Sequence, residues 1–138
     1  MNAGAVLAPG SAAGSAVVLD EPLSLWGGLD PATGRIIDTH HPQLGVTLTG
    51  RILVMSGGRG SSSSASVLAE AIRAGTAPVG IILGEEDLIL AVGAAVGEEL
   101  YGVQVPIVVL DSASRTQIRS GDRVAIGPGG TVTVGPSV

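Results

Sequence analysis

Residues 51–83 read RILVMSGGRGSSSSASVLAEAIRAGTAPVGIIL. Arg51–Met55 is an apolar run typical of a buried strand, and it leads into a loop rich in glycine and serine. From Ser64 the apolar residues follow a helical spacing, with a serine available as the N-cap and Gly75 placed to end the helix. Pro78–Leu83 is again apolar and β-branched. The stretch therefore predicts a strand–helix–strand unit whose two strands are parallel.

The same alternation of strand and helix continues beyond this unit. Asp87 is positioned to cap a second helix that runs to about Leu100, and Val105–Leu110 predicts another strand. Ser112–Ile118 is long enough for one or two further helical turns. Two segments of alternating polarity then flank a cluster of turn residues and predict a C-terminal β-hairpin: Asp122–Ile126 and Thr131–Val134, on either side of Gly127–Gly130.

Upstream of residue 51 the pattern is less regular. Val6–Ala8 and Ala16–Leu19 are short apolar runs that predict strands, and a long loop extends from Asp20 to about Gly45. No repeat or linker divides the sequence, so we expect residues 1–138 to form a single domain. The expected fold is a mixed α/β domain with a partly parallel sheet, flanking helices and antiparallel strands contributed by the outer segments.

The composition excludes several classes of function. The chain contains no cysteine, so it cannot form a disulfide, supply a thiol nucleophile or bind a metal through thiolate. Its net charge is −5 and it has no lysine, which argues against nucleic acid and anionic lipid as partners. No apolar run approaches the roughly 20 residues of a membrane span, and the N-terminus lacks the positive charge of a signal peptide. We therefore expect a soluble, cytoplasmic protein.

The glycine- and serine-rich loop is the first candidate for chemistry. It lies between a strand and a helix, where backbone N–H groups and the positive end of the helix dipole face an anion. Arg59 could bind a carboxylate or phosphate, and a serine hydroxyl could act as a base if the same donors stabilised its alkoxide. The loop is not a phosphate-binding Walker A motif, because it has no lysine. From the pattern alone, a flexible loop with a capping serine is the alternative.

The segment that contains the one tryptophan is the second candidate. Trp26 is followed by Gly27 and Gly28, then by Asp30, and such a loop could close over a small ligand. The alternative is a turn that packs the tryptophan on the edge of the core. The adjacent histidines at 40 and 41 would point to opposite faces of a strand, so they do not predict a metal site.

Several of these segments, in this order, resemble the swivelling small domain of the aconitase X dehydratases. The matching strings are Trp-Gly-Gly-Leu-Asp-Pro-Ala-Thr-Gly-Arg (26–35), Thr-Gly-Arg-Ile-Leu-Val-Met (49–55), Gly-Arg-Gly-Ser-Ser (58–62), Ala-Gly-Thr-Ala-Pro-Val-Gly-Ile-Ile (74–82) and Gly-Asp-Arg-Val (121–124). The resemblance implies a swivelling β/β/α domain and a hydro-lyase that removes water from a hydroxy acid. It also implies that the domain is either fused to a large catalytic part or forms a separate small subunit, as the length of this chain suggests.

The resemblance assigns roles to the loop residues. In the wider superfamily a Gly-Ser-Ser motif at a helix start supplies the serine that abstracts the substrate proton. By position that base is Ser61, with Ser62 beside it as the second catalytic candidate. The superfamily motif continues with arginine where this chain has Ser63, so a substrate carboxylate would be held by Arg59 or by the partner. The substrate-binding candidates are Arg59, Gly60, Trp26, Gly27, Gly28 and Asp30.

The resemblance also implies partners and substrates. The chain is expected to hold no cofactor, and an iron–sulfur cluster or other metal is expected in a large catalytic subunit, in a heterodimer or larger assembly. The family dehydrates either mevalonate 5-phosphate or cis-3-hydroxy-L-proline. The arginine-only, Ala/Gly/Val-rich composition looks bacterial, and the segment 95–106 is longer than in archaeal small subunits. Both features favour the hydroxyproline activity.

Two interpretations from other classes compete with a catalytic subunit. The first is a swivelling phosphocarrier, which needs a histidine in mid-chain ahead of a helix, whereas residues 83–96 contain none. The second is a structural subunit that closes the site of a partner and donates no catalytic group. Substitution of Ser61 separates this second alternative from a catalytic role.

Overall fold

The computed structural model describes residues 1–136; residues 137 and 138, the end of the expected single domain, lie outside the described residues. The strands are β1 (Ala5–Ala8), β2 (Ala12–Val18), β3 (Leu29–Asp30), β4 (Arg35–Ile36), β5 (Ile52–Met55), β6 (Gly80–Leu83), β7 (Ile107–Val109), β8 (Arg123–Ile126) and β9 (Val132–Gly135). The helices are α1 (Ser64–Ala74), α2 (Leu88–Tyr101) and α3 (Ser112–Arg115).

Seven strands form one mixed sheet in the order β1-β7-β6-β5-β2-β8-β9. The strands β2, β5, β6 and β7 are mutually parallel, and α1 and α2 connect β5 to β6 and β6 to β7. β1 pairs antiparallel with β7, and β8 and β9 form the C-terminal hairpin. The mixed sheet, the parallel central unit and the hairpin are confirmed. β3 and β4 form a separate two-stranded sheet inside the segment expected to be a loop.

Alternate side chains of the central strands contribute to two hydrophobic clusters. Leu53 and Met55 of β5 belong to the cluster that also contains the buried faces of α1 and α2. Ile52 and Val54 belong to the other cluster, with the hairpin and Ile118. Successive side chains of a strand point to opposite faces, so the sheet is covered on both sides. This burial explains why β5 and β6 are apolar at every position.

The position of β2 differs from the expectation that the outer segments add only antiparallel strands. β2 pairs parallel with β5, with Ala16 opposite Ile52, and antiparallel with β8 on its other side. It is also longer than the apolar run that predicted it. Because carboxyl ends of parallel strands meet at one edge of a sheet, the segments that follow β2, β5 and β6 all begin at the same edge. The tryptophan segment and the serine loop are thereby brought together.

The helix ends agree with the sequence in part. Gly75 follows α1 in a left-handed conformation (φ 75°), and the carboxylate of Asp87 accepts the Leu90 N–H at 3.0 Å to cap α2. Ser63 occupies the N-cap position of α1, but its side chain makes no capping hydrogen bond. Within residues 1–136, no helix has the length and apolar character needed to span a bilayer.

Candidate active site

The serine loop connects the buried end of β5 to the first turn of α1. Gly60 and Ser61 both have left-handed backbone conformations, with φ of 78° and 82°. Across the described residues, Ser61 is the only non-glycine residue with positive φ. This conformation costs an L-residue about 1–2 kcal/mol and is typical of functional sites. The loop then turns into α1 through a hydrogen bond from the Ser64 N–H to the Ser61 carbonyl at 3.0 Å.

Ser61 and Ser62 are both exposed, but they differ in surroundings. Ser61 lines a small pocket with Arg59 and Gly60, and this pocket is bounded on its far side by Asp87. Ser62 is not among the residues that line it. The enclosed volume is about 10 Å³, which holds at most one water molecule. The chain by itself therefore does not enclose a small hydroxy acid at this loop, and the outer side of Ser61 is open.

The tryptophan segment lies directly against the serine loop. The backbone N–H of Trp26 donates to Ser64 Oγ at 3.1 Å, while the Trp26 side chain is 60% exposed. The alternative of a turn that packs the tryptophan on the edge of the core does not agree with this exposure, because the backbone of Trp26 is anchored while most of its surface is open. Gly28 must be glycine, since a Cβ there would collide with the Ser24 carbonyl and the Leu23 side chain. Gly27 has φ of 77° at the exposed tip of the turn.

Arg59 makes an ion pair with Glu21 at 2.8 Å, and both side chains are about half exposed (48% and 47%). An exposed pair of this kind contributes about 0–1 kcal/mol, so a substrate carboxylate can displace it at small cost. Arg59 lies within the same loop as Ser61, and both residues line the same pocket. The positively charged Arg59 thus lies in the loop of the candidate base Ser61. Its guanidinium is paired with the carboxylate of Glu21.

Asp30 is engaged in its own turn. Its carboxylate oxygens accept hydrogen bonds from the Ala32 N–H and the Thr33 hydroxyl, each at 3.0 Å. Asp30 lines a different pocket, together with Arg35 and Leu44. The structure therefore brings Trp26 to the serine loop and gives Asp30 a local role in shaping the turn that precedes β4. A role for Asp30 in binding substrate stays a prediction without a supporting contact.

His41 is buried and has a structural role. Its Nδ1 accepts the Gln43 N–H at 3.0 Å, so Nε2 carries the proton and donates to the Glu21 carbonyl at 3.0 Å. Both ring nitrogens are therefore occupied within the chain. His40 is exposed. Among residues 1–136, no group of three or more His, Cys, Asp or Glu side chains lies close enough to hold a metal ion.

Two functional candidates were missed in the sequence, Ser24 and Ser64. Ser64 is only 4% exposed, and its hydroxyl lies 3.4 Å from that of Ser24, which donates to the Gly60 carbonyl at 3.1 Å. The two serines are 40 positions apart, and no local pattern reports a hydrogen bond over that separation. The sequence gives one signal for Ser64, which is the first residue of α1. A serine at the start of a helix can serve as its cap.

Comparison with known proteins identifies close relatives. A family model described as the aconitase X swivel domain matches residues 2–134. A cis-3-hydroxy-L-proline dehydratase from Pseudomonas aeruginosa is 50% identical over 104 residues, which cover 75% of this chain and 18% of that protein. The chain therefore spans about a fifth of that relative. A phosphomevalonate dehydratase small subunit from Methanopyrus kandleri is 40% identical over 119 residues, covering 86% of this chain and 84% of the relative.

A solved structure has the same fold. The crystal structure of aconitase X from Thermococcus kodakaraensis, in its holo-form, superposes with a TM-score of 0.84 at 31% identity. The superposition covers 96% of this chain and 95% of the other chain. The family match spans nearly the whole sequence and the fold agrees over the same range. The chain belongs to the aconitase X swivel domain family.

Proposed function

We propose that the chain is the small, swivelling component of an aconitase X-type hydro-lyase and that Ser61 is its proton-abstracting base. The observation that carries the proposal is the conformation of Ser61. It is an exposed serine held at φ 82° between a glycine and the start of α1, in a chain 50% identical to a dehydratase. Backbone strain of this kind persists only where the surrounding structure enforces it.

The chemistry follows from the position of the Ser61 side chain. Ser61 Oγ, as a transient alkoxide, takes the proton from the carbon beside the substrate carboxylate and becomes a neutral hydroxyl. The electron pair of the broken C–H bond forms the double bond while the C–O bond of the neighbouring carbon breaks with its own pair. The departing hydroxide takes up one proton, balancing the proton removed by Ser61, and leaves as water. In this proposal N–H groups of the loop, next to the positive end of the α1 dipole, stabilise the alkoxide before the proton moves, and Arg59 binds the carboxylate.

A larger partner completes the site in this proposal. The Ser61 pocket is too small for the substrate, and Ser61 itself is exposed. Apolar side chains are exposed nearby and along α2, which begins beside the loop: Trp26 60%, Leu88 70%, Val92 54%, Val96 37% and Leu100 65%. The relative from M. kandleri carries the words small subunit in its name. We infer that a large catalytic subunit covers this face and encloses the hydroxy acid.

The residues of this chain do not suit the binding of an iron–sulfur cluster or a metal ion. It has no cysteine, and its described part contains no cluster of metal-ligating side chains. An iron–sulfur cluster or other metal would accordingly be held by the large subunit. The enzyme is proposed to act in the cytoplasm.

For the substrate we propose cis-3-hydroxy-L-proline. The P. aeruginosa dehydratase named for it shares 50% identity with this chain, against 40% for the phosphomevalonate dehydratase small subunit. The alternative, mevalonate 5-phosphate, is supported by a different observation. The chain matches 84% of that small subunit's length, so the two polypeptides correspond almost from end to end.

The experiment is an assay of the assembled enzyme. The chain is co-expressed with the large subunit encoded in the same genome, and the purified complex is offered cis-3-hydroxy-L-proline and mevalonate 5-phosphate separately. We expect dehydration of the hydroxyproline with the higher kcat/KM, and no turnover by this chain alone. Preference for mevalonate 5-phosphate would establish the alternative substrate. Consumption of neither substrate, or turnover by the isolated chain, would contradict the proposal.

A further inference from the structure

Two serines outside the Gly-Arg-Gly-Ser-Ser string (58–62), Ser24 and Ser64, form a directed series of hydrogen bonds. The Gly60 carbonyl can only accept, so the hydroxyl proton of Ser24 is committed to it at 3.1 Å. In the 3.4 Å contact between the two hydroxyls, Ser64 must then donate and Ser24 accept. The Trp26 N–H donates to Ser64 Oγ at 3.1 Å. Each hydroxyl thus donates once and accepts once, from Trp26 through to Gly60.

This series of hydrogen bonds ends at the carbonyl of the Gly60–Ser61 peptide group, next to the candidate base Ser61. In a planar trans peptide the C=O and the N–H point in opposite directions. Holding the Gly60 carbonyl against Ser24 therefore turns the Ser61 N–H away from Ser24, toward the open side of the loop. In the part of the chain that the structure describes, the Ser61 N–H has no hydrogen-bond acceptor.

The same bond helps to enforce the left-handed backbone of Ser61. A serine at φ 82° relaxes toward negative φ unless neighbouring contacts prevent it. Rotation of the Gly60–Ser61 peptide would break the Ser24 bond and leave the Ser24 hydroxyl without its carbonyl acceptor. An ordinary hydrogen bond contributes about 0.5–1.5 kcal/mol, which is comparable to the strain that this bond opposes.

We propose that Ser24 and Ser64 are positioning residues, which orient the Gly60–Ser61 peptide so that the Ser61 hydroxyl and N–H face the substrate. They act through Ser61 and do not touch the substrate themselves. This role rests on the proposed function, because it concerns the geometry of the proposed base. The proposed role also connects the tryptophan segment to Ser61, because the Trp26 N–H is the first donor in this series of hydrogen bonds.

The test uses Ser24→Ala and the conservative Ser24→Thr, which keeps the hydroxyl at a half-buried position. In the assembled enzyme, Ser24→Ala is expected to lower kcat by about 10- to 100-fold with little change in KM, as for a small misplacement of a catalytic group. Ser24→Thr is expected to restore most of kcat. Ser66→Ala, at an exposed serine of α1, is the matched control and should leave kcat unchanged.

A second readout does not depend on the reaction. Backbone NMR resonances of Gly60 and Ser61 in the full isolated chain report the peptide orientation and φ. Ser24→Ala should shift and broaden them, and Ser24→Thr and Ser66→Ala should not. Wild-type kcat and unaltered Gly60 and Ser61 resonances in Ser24→Ala would overturn the positioning role. An inactive wild-type complex would instead contradict the proposed function, and the NMR comparison would still decide whether the two serines orient the peptide.

Discussion

Ser61 combines an exposed hydroxyl with a backbone conformation that glycine adopts more easily. A backbone φ of 82° destabilises the folded state by about 1–2 kcal/mol for a residue with a Cβ, but not for glycine. A protein that keeps serine there gives up stability for the side chain. If Ser61 is the base, as proposed, this position exchanges stability for activity.

The strain at Ser61 leads to a prediction from two substitutions that both remove the hydroxyl. Ser61→Gly should raise the free energy of unfolding by about 1 kcal/mol, while Ser61→Ala, which keeps the Cβ, should leave it close to wild type. Urea denaturation of the isolated chain measures both. Equal stabilities of Ser61→Gly and Ser61→Ala would mean that the left-handed backbone of residue 61 stores no strain.

Sequence patterns at the residue scale identified the loop but not its internal geometry. The serine loop stood out because glycines and serines separate an apolar strand from an amphipathic helix. The roles of Ser24 and Ser64 were not visible, because they depend on hydrogen bonds between segments about 40 residues apart. Asp30 accepts hydrogen bonds within its own turn, which the sequence does not show, and its role in binding substrate stays a prediction.

At the scale of elements, the helices and central strands were predictable because each has a distinct period. The α1 range and the start of α2 agree with the periodicity to the residue, since Gly75 and Asp87 mark them. β2 was predicted too short, because its first residues, Ala12–Ser15, are small and not clearly apolar. Its parallel pairing with β5 is set by the whole sheet and leaves no mark in the local sequence.

The contact between α1 and α2 depends on glycines of α2 and gives a prediction for that element. A Cβ on Gly93 would lie 2.8 Å from the backbone carbonyl of Ala65, in the first turn of α1. We expect Gly93→Ala to destabilise the protein by about 1–3 kcal/mol through overpacking, although alanine favours helix by about 1 kcal/mol.

Gly97→Ala is the matched control for this prediction, and thermal or urea unfolding measures both variants. A Cβ on Gly97 would meet only side-chain atoms of Ile72, nearest at Cδ1, whereas Gly93 faces backbone. The Cδ1 atom can shift more easily than backbone, so the loss should be smaller. If Gly93→Ala were as stable as wild type, α1 and α2 could move apart without loss of stability. The close packing of the two helices would then not be needed to hold the serine loop in place.

At the scale of the whole molecule, the sheet topology makes the site possible. Because β2, β5 and β6 are parallel, the tryptophan segment, the serine loop and the start of α2 share one edge. That edge carries an open pocket, a displaceable ion pair at Arg59 and exposed apolar side chains. In the proposed function, a larger partner completes this edge as an active site, and the absence of cysteine from this chain is then compatible with a cluster held by that partner.

The claim at the centre of this account is that Ser61 removes the substrate proton. The direct measurement is kcat for the purified two-subunit complex carrying Ser61→Ala, with Ser62→Ala and Ser66→Ala as matched serine controls. We predict that Ser61→Ala lowers kcat by about 10²- to 10⁴-fold while the complex still assembles, and that Ser66→Ala has no effect. Wild-type kcat in Ser61→Ala would contradict the claim: loss in Ser62→Ala would then move the base by one residue, and loss in neither would leave this chain a purely structural cover for its partner's site.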